Sequence, residues 1–223
     1  MASSSRAKKQ CTSVTTKKQG TSSSEANPLN LARLLVNDEQ RKQNLFAFCE
    51  ESNAYYPELV GVFYYNLNLR KNLLISLVNG KEIILDMQTF SSICSNIPYH
   101  GSIKDFGLAC DWDNYDRKEF YYSLCRFSKE EIDLRKKMAL GLTVKNRDIL
   151  VVGNLNLEDR LLHYFLSYII MPKFSNHSQI NDIELKLIYA LKHNLEINWA
   201  LTVMRHMWSV RETNSPLPYA III

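Results

Sequence analysis

The chain is sparing with glycine and proline, seven and six in 223 residues. That excludes a collagen-like or low-complexity polymer. Cysteine is scarce and odd in number: Cys11, Cys49, Cys94, Cys110 and Cys125, widely spaced with no Cys-x-x-Cys pair. Such spacing suits free thiols in a reducing compartment better than a disulfide framework or a zinc ribbon. No long apolar run occurs. The most apolar stretch, Leu161–Met171, is interrupted by His163 and Ser167 and falls short of the ~20 residues that cross hydrocarbon. Ser3 to Gly20 holds no apolar core of a secretory leader, so an intracellular protein of nucleus or cytoplasm, without membrane contact, is expected. The sequon Asn176-His177-Ser178 is idle in that setting.

Charge is unevenly placed. Residues 1–26 carry Arg6, Lys8, Lys9, Lys17 and Lys18 against Glu25 alone, a net of +4, which is the net charge of the whole chain. The body from 27 to 223 is therefore neutral and lacks the excess cation that holds nucleic acid by counterion release. The first 26 residues are rich in Ser, Thr, Lys and Gln, and Val14 is their sole large apolar side chain after Met1. A segment that buries so little cannot offset its ordering entropy, so a disordered basic tail is expected. Its five cations are the candidate contacts for nucleic acid or for import. Lys8-Lys9 and Lys17-Lys18 have the form of a divided import signal, and equally that of a solubilising tail.

What the body does have is helical periodicity. Leu29, Leu31, Leu34 and Leu35, then Leu45, Phe46, Phe48 and Cys49, fit two short helices or one broken helix. Pro57 opens a helix through Leu59, Val60, Phe63, Tyr64 and Leu67. One clear β signal follows: Leu73–Val78, Asn79-Gly80, Lys81–Leu85, a hairpin on a two-residue turn that needs φ > 0 twice. Asp86 caps the next helix and Pro98 closes it. Residues 99–118 read as an irregular connection, and 118–127 as helix or strand. Ser128 with Glu131 starts a helix to Ala139, and Ile149–Val152 suits a short strand.

The last third is the most legible. Asn156 caps a helix to Ile170, a second spans about Asn181–His193, and a third follows Asn198 to about Arg211. On the first, Asp159, Arg160, His163 and Ser167 share one narrow polar stripe, and the Asp159/His163 pair reads as a surface ion pair. On the third, Trp199, Ala200, Val203, Met204, Met207 and Trp208 form the apolar face, with Thr202, Arg205 and Ser209 opposite. The fold class expected is mainly α: one helical domain over 27–223 with a single hairpin near 73–85. The apolar finish Ala220–Ile223 suggests a truncated reading frame.

Chemistry-bearing patterns are missing. Asp111, Asp113 and Asp116 suggest a calcium loop, but Tyr115, Asp116 and Tyr122 stand where an oxygen ligand, glycine and a bidentate glutamate are required. His100, His163, His177, His193 and His206 are scattered. No phosphate-cradling glycine loop and no nucleophile elbow appears. No catalytic residue, metal site or cofactor is expected, and the chain reads as a non-enzyme.

Several spaced segments form a recognisable set. They are Pro57-Glu58-Leu59-Val60 running into Phe63-Tyr64-Tyr65-Asn66-Leu67, then Val78-Asn79-Gly80-Lys81-Glu82-Ile83, then Phe120–Arg126. Arg160–Tyr164, Pro172-Lys173, Asn176-His177-Ser178, Ile188-Tyr189-Ala190, Ile197-Asn198-Trp199, His206-Met207 and Leu217-Pro218-Tyr219 continue it. Over about 40–223 this resembles the plant transposon protein domain, a family named for its occurrence in transposon-derived proteins. The resemblance implies a plant source and descent from a retroelement-associated frame, and carries over no catalytic residue. A cut-and-paste transposase would need three metal-binding carboxylates on a mixed sheet, which this pattern does not offer. A non-catalytic interaction or scaffold module with a protein partner is the leading expectation. A nucleic-acid-binding accessory protein using the tail is the second, and a degenerate nuclease the third.

Overall fold

The computed structural model describes residues 45–50, 56–101, 112, 114–140, 149–211 and 218–219. The chain divides into two units, Met1–Asn30 and Leu31–Ile223, and every described residue belongs to the second. That unit is mainly helical with a small β part, as the periodicity implied.

Helix α1 (Leu45–Glu50) precedes α2 (Pro57–Asn66), where proline occupies the first turn. Helix α2 buries Val60, Phe63 and Tyr64 and packs against the strand Leu73–Val78. The hairpin forms as expected, β2 (Leu73–Val78) with β3 (Lys81–Leu85), Val78 facing Lys81 across Asn79 and Gly80 at φ 49° and 77°. A further strand, β1 (Asn68–Arg70), widens it to an antiparallel sheet of order β1-β2-β3. Its turn is Lys71-Asn72, both at positive φ (49° and 65°), the same two-residue geometry made without glycine. Leu74 and Ser76 point inward, and the Ser76 hydroxyl donates to the Phe63 carbonyl at 2.8 Å. That bond ties sheet to helix.

Helix α3 (Met87–Ile93) starts at Asp86, whose carboxylate accepts from Thr89 N at 2.7 Å. The ambiguous 118–127 region resolves as helix α4 (Arg117–Ser123), capped by Asp116, followed by a single bridge between Cys125 and Leu155. Helix α5 (Lys129–Leu140) begins at Ser128, whose hydroxyl accepts from Glu131 N. Strand β4 is only Leu150–Val151, and its partner β5 (Gln179–Ile180) lies beyond the next helix. The Tyr121 hydroxyl secures this corner. It accepts from Val151 N at 3.1 Å and Asn154 Nδ2 at 3.0 Å and donates to Val151 O at 2.9 Å.

Helix α6 (Leu157–Phe165) runs straight into a π-helical turn, Leu166–Ile170, closed by Met171 N to Leu166 O at 2.7 Å. Helix α7 (Asp182–Lys192) packs against α4 and α6. Helix α8 (Trp199–Val210) packs against α3 and β1 and is buried almost all round, with Trp199, Met204 and Met207 fully enclosed. Thr202, expected on the outer side, is buried too. Its hydroxyl donates to Asn198 O at 2.8 Å, and that internal bond is what makes the burial tolerable. Trp208, expected on the apolar face, stays half-exposed. Among the described residues no helix is long and apolar enough to cross a membrane.

Candidate functional site

Among the described residues, the densest set of buried charges lies where α6 meets α7. Asn156 starts α6 by accepting from Asp159 N at 2.9 Å, and its amide donates to Asp159 Oδ2 at 2.6 Å. Three of the four residues of the polar stripe then face inward: Asp159 is 3% exposed, His163 and Ser167 are 0%. The expected surface pair of Asp159 with His163 is therefore corrected. Each finds its partner on α7 instead. His163 Nε2 lies 3.0 Å from Glu184 Oε2, and Lys192 Nζ lies 2.8 Å from Asp159 Oδ1. The reason is that a helical wheel fixes which residues share a face and says nothing about which way that face turns. Charges on α7 make the inward turn affordable, because a buried carboxylate or imidazole needs a partner.

Glu184 is the centre. It completes a capping box, accepting from Asn181 N at 3.0 Å while Asn181 Oδ1 accepts from Glu184 N at 2.8 Å. It also receives Lys173 Nζ at 2.8 Å, and that ammonium donates to Gln179 O at 2.8 Å. Burial pushes the Glu184 carboxyl up, but the hydrogen bonds from His163, Lys173 and Asn181 outweigh it and hold the group below the usual carboxylate range. Two polar atoms in this layer, His163 Nδ1 and Ser167 Oγ, have no protein partner.

A serine, an imidazole and a carboxylate side by side invite a hydrolytic reading. The geometry argues for a structural one. No part of His163 reaches solvent, and a general base must touch the proton it removes. Two surface clefts are lined by other residues. One of about 400 Å³ is lined by Leu150, Lys173, Asn176, Gln179 and Asn181, and its lysine is already paired with Glu184. The other, about 300 Å³, is lined by Gln88, Ser91, Asn96, Tyr99 and His100. Neither gathers the convergent titratable groups that a catalytic cleft carries.

The other flagged residues scatter. Arg6, Lys8, Lys9, Lys17 and Lys18 lie outside the described residues, as do Asp111 and Asp113. Asp116 caps α4, accepting from Glu119 N at 2.7 Å. Trp112, Tyr115, Phe120 and His193 pack around the Tyr189 ring with centroids 4.2–5.1 Å away, so the rings fill the space a ligand would need. His206 Nδ1 sits 2.9 Å from the Tyr219 hydroxyl, which donates to Ile170 O at 2.5 Å. Burial pushes His206 down to about 4. Among the described residues no three His, Cys, Asp or Glu side chains gather as a metal site.

Turning its polar stripe inward leaves α6 with apolar residues outside. Leu157 is 61% exposed, Tyr164 37% and Tyr168 55%, with Leu161 half-buried between them. Tyr164 and Tyr168 rings touch edge to face at 5.9 Å, and His177 stacks on Tyr168 at 3.9 Å. Phe174 beyond them is 68% exposed. The sequence held a signal for Glu184 in the Asn181-x-x-Glu184 box. It held none for Lys173 or Lys192, whose roles depend on tertiary placement.

Compared with known proteins, the chain matches no family model, no curated protein and no solved structure.

Proposed function

We propose that the chain is a non-catalytic interaction or scaffold module descended from a plant mobile element, working in the nucleus or cytoplasm. The fate of the ionisable groups carries this reading. Asp159, His163 and Glu184, the closest approach to a reactive set among the described residues, are buried beyond the reach of any substrate. They join two helices.

Descent from a transposable element rests on the spaced segments quoted above. Those segments coincide with structural positions: Phe63, Tyr64 and Leu67 in the core, Asn79-Gly80 in the hairpin turn, Trp199 and Met207 on the buried side of α8. A pattern of that kind marks a shared fold rather than a shared reaction. The test is direct. Full-length chain with single- or double-stranded DNA or RNA and Mg²⁺ or Mn²⁺ should give no cleavage. Metal-dependent cleavage lost on substituting Asp116, His163 or His193 would overturn the proposal.

A second reading, a nucleic-acid accessory protein, draws on the basic tail and on one surface. The Arg126 and Arg135 guanidiniums lie 4.6 and 3.7 Å from the Phe127 ring centroid, and Lys129 Nζ lies 5.7 Å from that of Tyr122. Aromatics interleaved with cations suit single strands. A salt-dependent mobility shift, lost on deleting residues 1–26, would favour it.

A further inference from the structure

We propose that the outward face of α6 is a self-association surface, on which two copies of this chain pair antiparallel. The proposal rests on the interaction-module reading and names the partner. Leu157, Leu161, Tyr164 and Tyr168 are spaced four, three and four apart, the interval of a helix-pairing seam. The contact between the Tyr164 and Tyr168 rings shows that the seam continues across the π turn. The largest apolar patch on a protein surface is often functional.

Three features select a second copy lying antiparallel. The first is self-complementarity. Read from its start the seam is Leu, Leu, Tyr, Tyr, so reversing one copy sets Leu157 against Tyr168 and Leu161 against Tyr164 in every layer. Each contact is then reciprocal, leucine on tyrosine and tyrosine on leucine, as a two-fold interface requires. A parallel pair would crowd tyrosine on tyrosine. The second is charge. The seam itself is uncharged, and Glu158 and Arg160 flank only its first turn. Antiparallel pairing in this register sets Arg160 opposite position 165, so the two Arg160 groups lie about 7–8 Å apart along the axis, and it opposes the two helix dipoles. A parallel pair would bring the arginines together. The third is area. Leu157, Leu161, Tyr164 and Tyr168 expose on the order of 300–400 Å² of mostly apolar surface per copy. Two copies and a polar rim reach the lower bound of a specific interface, about 1,000 Å² in total. The association is therefore weak and concentration-dependent.

Sedimentation equilibrium of the full chain, from about 1 µM to about 1 mM, tests it. The mass should rise from monomer toward dimer across that range. Tyr164→Arg and Tyr168→Arg, both on exposed positions, should move the midpoint at least tenfold while far-ultraviolet circular dichroism and thermal unfolding stay as in the wild type. Leu77→Arg, exposed on the sheet, should leave it in place. A photo-crosslinking residue at position 157 should capture the second copy's peptide containing Tyr168. A monomer at every concentration overturns the pairing, and so does a dimer insensitive to both arginine variants or a crosslink joining 157 to 157. Monomeric binding to phosphatidylcholine vesicles, abolished by Tyr168→Arg, would give the face to lipid and overturn it as well. None of these results produces nucleic-acid cleavage, so the module reading fails by a different measurement.

Discussion

Lowering the pH below neutrality should weaken the fold through His206. The Ile170 carbonyl can only accept, so the Tyr219 hydrogen points to it at 2.5 Å, and Tyr219 accepts in turn from His206 Nδ1 at 2.9 Å. That Nδ1–H bond is open to neutral and charged His206 alike, so burial decides which form is held. Burial pushes its pKa down to about 4, against about 6.5 in an unfolded chain. Between those values the unfolded state binds the proton that the folded state resists. Stability is therefore full above about pH 6.5 and falls as the pH drops toward 4. Taking the two values at face gives a loss of about 1 kcal/mol at pH 6 and about 2 kcal/mol at pH 5. His206 keeps some contact with water, which reduces the second figure to about 1–2 kcal/mol. Urea unfolding of the wild type and of His206→Gln at pH 7.5 and pH 5.0 isolates this contribution, because other groups titrate alike in both. The wild type should lose at least about 1 kcal/mol more than the variant over that interval, with an unchanged denaturant slope. Equal losses within about 0.3 kcal/mol would refute the reasoning.

Glu184→Ala strips the acceptor from Lys173, His163 and Asn181 at once. It should cost about 3–5 kcal/mol and lower Tm by roughly 10 °C, measurable by calorimetry. Because the Glu184 carboxyl is held below its ordinary value, its contribution is present above about pH 4.3 and is lost as the pH falls through the folded value. Gly101→Ala would place a Cβ 2.6 Å from Asn198 N and 2.7 Å from Glu196 O. Neither backbone atom can yield cheaply, so a loss of about 2–4 kcal/mol in chemical unfolding is expected. Lys71 adopts φ 49°, a region that asparagine tolerates better than lysine, and Lys71→Asn should gain about 0.5–1 kcal/mol in the same assay.

Punctuation was the readable part of this fold. Asn79-Gly80 located the hairpin, and Asp86, Asn156, Asn181 and Asn198 each sit at the start of their helix with a side-chain oxygen on a backbone amide. These signals are local, so their physics is complete within four residues. Strand β1 escaped because Lys71-Asn72 adopts the turn without the glycine that usually announces it. Strand β5 escaped because two residues make no period, and it exists only where Leu150 meets Ile180. The buried network escaped for a different reason. His163 and Glu184 are 21 residues apart, and Asp159 and Lys192 are 33 apart, so pairing them requires knowing how α6 and α7 lie. Asp159, His163 and Ser167 were rightly grouped, yet a polar stripe is assumed to face water until an opposing helix supplies charge. The same inward turn puts the apolar seam outside.

The contacts made by residues 211, 218 and 219 carry a consequence for synthesis. The Tyr64 hydroxyl donates to Pro218 O at 2.5 Å across 154 residues, and the Arg211 guanidinium donates to Leu67 O across 144. Helix α2 and its sheet emerge from the ribosome long before those partners exist. At roughly 5–20 residues per second the wait lasts roughly 8–30 s, during which the Tyr64 and Leu67 region stands uncovered. The nascent chain is thus most vulnerable in its first half, and a chaperone that binds early has a defined segment to shield.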